Sequence, residues 1–265
     1  MSLTVGSLFA GIGGFDLGLE RAGFTIKWQV EIDEYCNRVL AKHWPHIPKY
    51  GDIRSIDWSN VEPVDVLCGG FPCQDISLAG KRQGIEGERS GLWKEFHRAV
   101  RELRPRYVVV ENVAALRGNG LCVVLADLAA LGFDAEWDCI TASAVGAPHK
   151  RDRVWIVAYA AGYGVEEPAR EDRQPHGGSV LSCGVDIVRE STNVSDADSE
   201  SLVRIAKSRG QRSEWAVEPD VGRVANGVPN RVDRLRALGN AVVPQIVEWL
   251  GRRILEIDRE NLHRL

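Results

Sequence analysis

Cys73 is the residue whose setting best suits covalent chemistry. It sits in the run Gly69-Gly70-Phe71-Pro72-Cys73-Gln74, directly after the apolar stretch Val64–Cys68. A thiolate is a strong nucleophile, and a cysteine near helix N-termini or cationic groups ionises more readily than one packed among apolar side chains. Cys36, Cys68, Cys122 and Cys139 fall instead within stretches that read as helix or strand, where a thiol more often fills a small apolar space. The six cysteines include no Cys-x-x-Cys pair and no dense framework, so neither structural zinc nor a disulfide scaffold is expected, and no metal ligand set is assigned.

Four further groups carry chemical potential. Phe9-Ala10-Gly11-Ile12-Gly13-Gly14 joins an apolar run to a helix-like stretch. Glycines there let backbone approach a ligand closely, or simply permit tight packing. Glu31 ends the next apolar run, where an acidic residue of a nucleotide-binding α/β fold accepts hydrogen bonds from ribose hydroxyls. In Glu111-Asn112-Val113 the run Tyr107-Val108-Val109-Val110 ends in a carboxylate, which either holds a proton near neutral pH when desolvated or caps a following helix. Pro148-His149-Lys150-Arg151-Asp152-Arg153 places two arginines two residues apart, so extended backbone would aim both to one side. The segment Asp75–Gly91 carries four glycines with Lys81, Arg82 and Arg89, as befits a lid over a polyanion or an exposed loop.

These groups need a scaffold that gathers them, and the hydrophobic pattern supplies one. Apolar runs at Leu3–Phe9, Thr25–Glu31, Val64–Cys68, Arg106–Glu111, Ala135–Thr141 and Val154–Ala158 alternate with helical spacing at Phe15–Ala22, Asp33–His43, Leu92–Leu103 and Cys122–Leu131. Such alternation predicts an α/β fold, a doubly wound and mostly parallel sheet covered by helices on both faces. Ligands of open α/β sheets bind at the carboxyl ends of strands, which places the glycine turn, Cys73 and Glu111 on one crevice. Helical spacing returns at Val242–Ile257, predicting a closing helix against the main domain. The expected organisation is a main domain over 1–161, an insert or small subdomain over 162–230, and a return segment over 231–265 that completes the main domain.

Polar composition sets the middle region apart. Val165–Ser199 holds eight acidic against three basic residues, whereas Glu200–Arg236 holds eight basic against five acidic, so the second half is the better candidate for phosphate contact; the alternative is a solvated surface. A net charge of −4 gives no global attraction for nucleic acid, so any such contact rests on local basic clusters. No apolar run approaches the ~20 residues that cross a bilayer, and Met1–Val5 does not read as a secretory signal, so a cytoplasmic location without membrane contact is expected.

Taken in order, these segments resemble the cytosine-5 DNA methyltransferase family over about Leu3–Ala160 and Arg231–Leu255. The glycine turn resembles that family's cofactor loop, Gly70-Phe71-Pro72-Cys73-Gln74 its nucleophile motif, and Glu111-Asn112-Val113 its cytosine-holding motif. Gly51-Asp52-Ile53 resembles the adenine-contacting segment, and Gly239-Asn240-Ala241-Val242-Val243-Pro244 the late segment that completes the cofactor pocket. Two departures stand out. His149 occupies the place of a family glutamine, although Arg151 and Arg153 match, and the family's arginine-rich ninth motif has no counterpart in Trp215–Val232.

The resemblance implies S-adenosyl-L-methionine as cofactor, held by Phe9, Gly11, Ile12, Gly13, Gly14, Glu31, Ile32, Asp52, Ile53, Pro72, Leu92, Asn240 and Ala241. It implies catalysis by Cys73, Glu111, Arg151 and Arg153 on a cytosine flipped from duplex DNA, with 1–161 as the catalytic and cofactor-binding domain and 162–230 as a short target-recognition region. Expected DNA contacts are Gln74, Ser77, Lys81, Arg82, Arg89, Arg209 and Arg212. The expected assembly is a monomer acting on double-stranded DNA, with a cognate restriction endonuclease as a candidate partner. The same motifs serve a cytosine-5 RNA methyltransferase, and a non-catalytic DNA-binding relative or a small-molecule methyltransferase are the rival classes. Labelled methyl transfer to duplex DNA against transfer RNA separates them.

Overall fold

The computed structural model describes residues 2–72, 91–160 and 230–262. They build strands β1 (Thr4–Leu8), β2 (Thr25–Val30), β3 (Lys49–Tyr50), β4 (Val66–Gly69), β5 (Tyr107–Val113), β6 (Phe133–Thr141) and β7 (Asp152–Ala160). The helices are α1 (Gly14–Ala22), α2 (Glu34–His43), α3 (Leu92–Leu103), α4 (Leu116–Asn119), α5 (Leu121–Ala130), α6 (Arg231–Asn240) and α7 (Pro244–Leu262). The seven strands form one sheet in the order β3-β2-β1-β4-β5-β7-β6. Strands β1 to β5 pair in parallel, while β7 runs antiparallel between β5 and β6. The α/β class is as expected. The reversed strand β7 was not legible in an apolar run, because a run has no direction until its partners are known.

Side chains alternate across the sheet with a period of two and feed two apolar layers. Leu67, Val108, Val110 and Ile156 join Trp28, Trp58, Trp93 and Phe96 on one face. Val66, Cys68, Tyr107, Val109 and Trp155 join Phe15, Leu19, Ile246 and Val247 on the other. Because β4, β5 and β7 are covered on both sides, they read as continuous apolar runs rather than alternating ones.

The closing helix α7 packs against α1, and a Cβ on Gly18 would stand 2.5 Å from the Val247 Cβ and 2.6 Å from the Pro244 carbonyl oxygen. Only a glycine admits that approach. The expected helix over Val242–Ile257 thus exists, shifted to Pro244–Leu262. Helix α6 was not anticipated: Ala237 is its buried residue, so it carries no apolar period to reveal it. Of the expected target-recognition region, 162–230, all but Asn230 lies outside the described residues. No helix among the described residues is long and apolar enough to cross a membrane.

Candidate active site

The carboxyl ends of β1, β2, β4 and β5 open onto a cleft of about 900 Å³. Its first wall begins where β1 stops. Phe9 takes a positive φ of 51°, which ends the strand at Leu8, and Gly11 follows at 57°. A Cβ on Gly11 would meet nothing within 4 Å, so this backbone faces open space in the cleft. Gly13 serves packing instead, because a Cβ there would lie 2.3 Å from the Trp44 ring. Of the residues expected to hold a cofactor, Ile12 and Gly13 are the two that do not line the cleft; Phe9, Gly11, Gly14, Glu31, Ile32, Asp52, Ile53, Pro72, Leu92, Asn240 and Ala241 do.

Glu31 ties this wall together. Its Oε2 accepts the Gly11 N–H at 2.7 Å and its Oε1 accepts the Asp33 N–H at 2.7 Å, so one carboxylate buckles the glycine turn to the start of α2. A carboxylate has about four acceptor positions, leaving capacity on each oxygen for a ligand hydroxyl. Asp33 caps α2 by accepting the Cys36 N–H at 3.0 Å, and it pairs with Arg236 of α6. That N–H and the Arg236 charge hold its carboxyl below the ordinary range. Opposite, Asp52 caps the turn Ile53–Ser55 and accepts the Arg54 guanidinium at 2.7 and 3.0 Å. Ile32 stands 65% exposed at the mouth.

The floor is built around Glu111. The structure corrects its expected position, since β5 continues past it to Val113 and Glu111 is paired with Trp155 inside the sheet. Arg153 lies opposite Val113, diagonal to Glu111 on the same face, and its Nε stands 3.0 Å from Glu111 Oε1. That contact is an ion pair without hydrogen-bond alignment, for Oε1 is buried and accepts no hydrogen bond from a described residue. Burial raises the Glu111 carboxyl to about 7, against the lowering pull of Arg153 and Arg151. Gly70 makes room for this carboxylate, because a Cβ there would be 2.9 Å from Glu111 Oε2. Buried Asn112 donates from Nδ2 to the Phe71 carbonyl at 3.1 Å, fixing the backbone two residues before Cys73.

The two arginines do not act as a pair on one side. Arg151 has a positive φ of 26°, so the backbone is not extended there and β7 begins only at Asp152. Its guanidinium turns to the end of α6, donating to the Gly239 carbonyl at 2.8 Å and the Ala241 carbonyl at 2.6 Å. Two carbonyls that the helix end leaves unpaired are thereby satisfied. Burial lowers the Arg151 pKa, and the neighbouring Arg153 adds to that effect. His149, in the place of the family glutamine, is half-buried and does not line the cleft.

A family model of C-5 cytosine-specific DNA methylases matches residues 3–219 of this chain. The chain belongs to that family. It is 35% identical over 164 residues to the type II methyltransferase M2.BsuMI of Bacillus subtilis, covering 59% of this chain and 42% of that protein. It is 35% identical over 156 residues to the type II methyltransferase M.HhaI of Haemophilus parahaemolyticus, covering 57% and 47%. The chain thus spans about half the length of the curated relatives it matches. Among solved structures, a prophage-encoded DNA modification methyltransferase of E. coli matches with a TM-score of 0.51 and 29% identity over 60% of this chain and 47% of that one. The Dnmt2 methyltransferase of S. pombe shares the fold, with a TM-score of 0.51 at 19% identity over 60% and 51% of the two chains.

The expected residues Cys73, Gln74, Ser77, Lys81, Arg82, Arg89, Arg209 and Arg212 lie outside the described residues. Cleft residues that sequence reasoning missed include Cys36, Arg54, Glu95 and Arg236. Cys36 is a poor nucleophile, its thiol pushed up to about 12 by burial and the nearby Glu31 and Asp33 charges. Glu95 carried a usable signal, falling one turn after Leu92 on the same helix face. Arg236 carried none, since its place depends on how α6 returns to the cleft.

Proposed function

We propose that this chain is a DNA cytosine-5 methyltransferase that moves a methyl group from S-adenosyl-L-methionine to carbon 5 of a cytosine flipped out of duplex DNA, through a covalent bond to Cys73. The observation that carries this reading is Glu111: a buried carboxyl that holds its proton near neutral pH, packed on Gly70 three residues before Cys73 and facing Arg153. Carbon 5 of cytosine is a weak nucleophile until a group adds to carbon 6, so a proton donor and a cation in one cleft, with a cysteine next in sequence to cleft-lining Pro72, match that need.

Cleft residues fit an adenosine-containing cofactor. Gly11 offers a backbone surface that no side chain obstructs, and Glu31 retains acceptor capacity beside it. Asp52, Ile53, Leu92, Asn240 and Ala241 close the remaining sides. When bound, S-adenosyl-L-methionine supplies an electrophilic methyl group.

The Cys73 thiolate adds to carbon 6 of the ring. Protonated Glu111 donates to ring nitrogen 3 as electron density arrives there, and Arg153 offsets charge on the carbonyl oxygen. Carbon 5, now enamine-like, takes the methyl group, after which its proton passes to water, the bond to Cys73 breaks to release the thiolate, and ring nitrogen 3 returns its proton to Glu111. The target base must leave the stack to reach this cleft, at a cost of a few kcal/mol. Arg151 holds the α6 end that carries Asn240 and Ala241, a positioning role rather than a contact with the base. Gln74, Ser77, Lys81, Arg82, Arg89, Arg209 and Arg212 are assigned to the DNA, the active unit is a monomer, and the type II designation of the relatives supports a cognate endonuclease in the same system.

DNA with 5-fluorocytosine at the target site is expected to become covalently trapped on the wild-type protein and not on Cys73→Ala, which also loses methyl transfer. Trapping or transfer by Cys73→Ala refutes the nucleophile. Labelled methyl on transfer RNA but not on duplex DNA refutes the substrate.

A further inference from the structure

The cleft wall formed by Gly51, Asp52, Ile53 and Arg54 belongs to no strand ladder. β3 ends at Tyr50, and the turn that follows spans only Ile53–Ser55. Ile53, Ile56 and Trp58 peg this loop into the apolar layer. Within the loop the Ile53 carbonyl accepts the Ile56 N–H at 3.4 Å and the Asp52 carbonyl the Ser55 N–H at 3.0 Å, which close the turn on itself without tying it to a neighbouring element. Among the described residues, Arg98 reaches across to the loop's carbonyls from another element. Arg98 of α3 donates from Nη1 to the Ile56 carbonyl at 3.0 Å and from Nη2 to the Ile53 carbonyl at 2.9 Å.

The guanidinium is itself held. Its Nε donates to Glu95 Oε2 at 2.8 Å, one turn earlier on α3, and it lies 5.9 Å from the centroid of the Trp58 ring. Glu95 and Leu92, from the same helix, line the cleft, whereas Arg98 does not. A planar fork with fixed donor directions can satisfy two carbonyls at once, which the single point charge of a lysine cannot do in the same geometry.

We propose that Arg98 is a positioning residue for the cofactor: by clamping the Ile53 and Ile56 carbonyls onto α3, it fixes the Gly51–Arg54 wall and so sets affinity for the adenosine portion of S-adenosyl-L-methionine. The inference rests on the reading of this cleft as the cofactor site. Arg98 touches neither cofactor nor base, so its loss weakens binding while leaving the reacting groups in place.

The test measures S-adenosylhomocysteine binding by calorimetry in the full chain, alongside hydrogen exchange of the peptide covering residues 52–56. In Arg98→Ala, loss of two charge-assisted hydrogen bonds predicts a dissociation constant raised about tenfold or more, with faster exchange in that peptide. Arg98→Lys retains the stem and charge, serves if the alanine variant does not fold, and is expected to raise the constant by roughly threefold. In methyl-transfer assays the KM for the cofactor rises while kcat stays within about twofold of wild type. An unchanged dissociation constant in a folded variant, or a fall in kcat with an unchanged cofactor KM, overturns the proposal. Failure of the wild-type protein to bind S-adenosylhomocysteine overturns the cofactor reading of the cleft itself.

Discussion

Glu111→Gln separates the electrostatics of the floor from its shape. The carboxyl is raised from an ordinary 4.5 to about 7, chiefly by burial. At roughly 1.4 kcal/mol for each tenfold change in proton affinity, ionising it in the folded protein costs about 3 kcal/mol. The folded state therefore binds this proton more tightly than the unfolded state does. Its contribution to stability is complete below pH 4.5 and is lost as pH rises through 7. Glutamine keeps the size and cannot ionise, so wild type should lose about 2 kcal/mol relative to the variant between about pH 5.5 and pH 8. Removing the partner of Arg153, whose side chain is 23% exposed, adds an offset that does not depend on pH in that interval. Urea unfolding of both proteins at the two pH values measures the difference directly. Methyl transfer by the variant should fall roughly 100-fold or more, because an amide cannot release a proton to ring nitrogen 3. A stability difference equal at both pH values refutes the raised pKa. Transfer at the wild-type rate refutes the proton-donor role.

Two further substitutions probe the surroundings. Gly70→Ala places a Cβ 2.9 Å from Glu111 Oε2 and 3.3 Å from the Glu111 carbonyl oxygen, so the carboxylate must shift; kcat for methyl transfer should drop about tenfold or more, with about 1–3 kcal/mol of stability lost, and a wild-type kcat would show that the carboxylate's position is not critical. Asp16, fully buried in the first turn of α1, is raised to about 6 by burial although Gln29 and Ser7 donate to it at 2.8 and 3.2 Å. Its protonated form is favoured by folding, so Asp16→Asn should gain about 1 kcal/mol on wild type between about pH 5 and pH 7, read from thermal or urea unfolding at each pH; parallel pH profiles would show that Asp16 does not titrate there.

What the sequence by itself determined was most of the strands and helices and the chemical types near their ends, though not β3, α4 or α6. Apolar runs and helical spacing are local properties, and they placed the glycine turn and Glu31 at strand ends before any contact was known, whereas Glu111 lies inside β5, which runs on to Val113. What they could not supply was direction and partner. Whether β7 runs up or down depends on its neighbours β5 and β6, and its reversal is what brings Arg153 diagonally onto Glu111. The same limit applies to the arginine pair: spacing of two implies a shared side only in extended backbone, and the positive φ of Arg151 sends its side chain to the end of α6. Gly11 and Gly13 are alike in the sequence, yet one faces open cleft and the other admits Trp44, a distinction made by chain beyond the end of α2. Arg98 was a charge within an expected helix and Arg236 one of the basic residues of Glu200–Arg236 until the fold carried two carbonyls to the first and Asp33 to the second. Local sequence thus decided which groups were present, and long-range packing decided which of them meet, because burial, pKa and ion pairing arise from what the rest of the chain brings alongside.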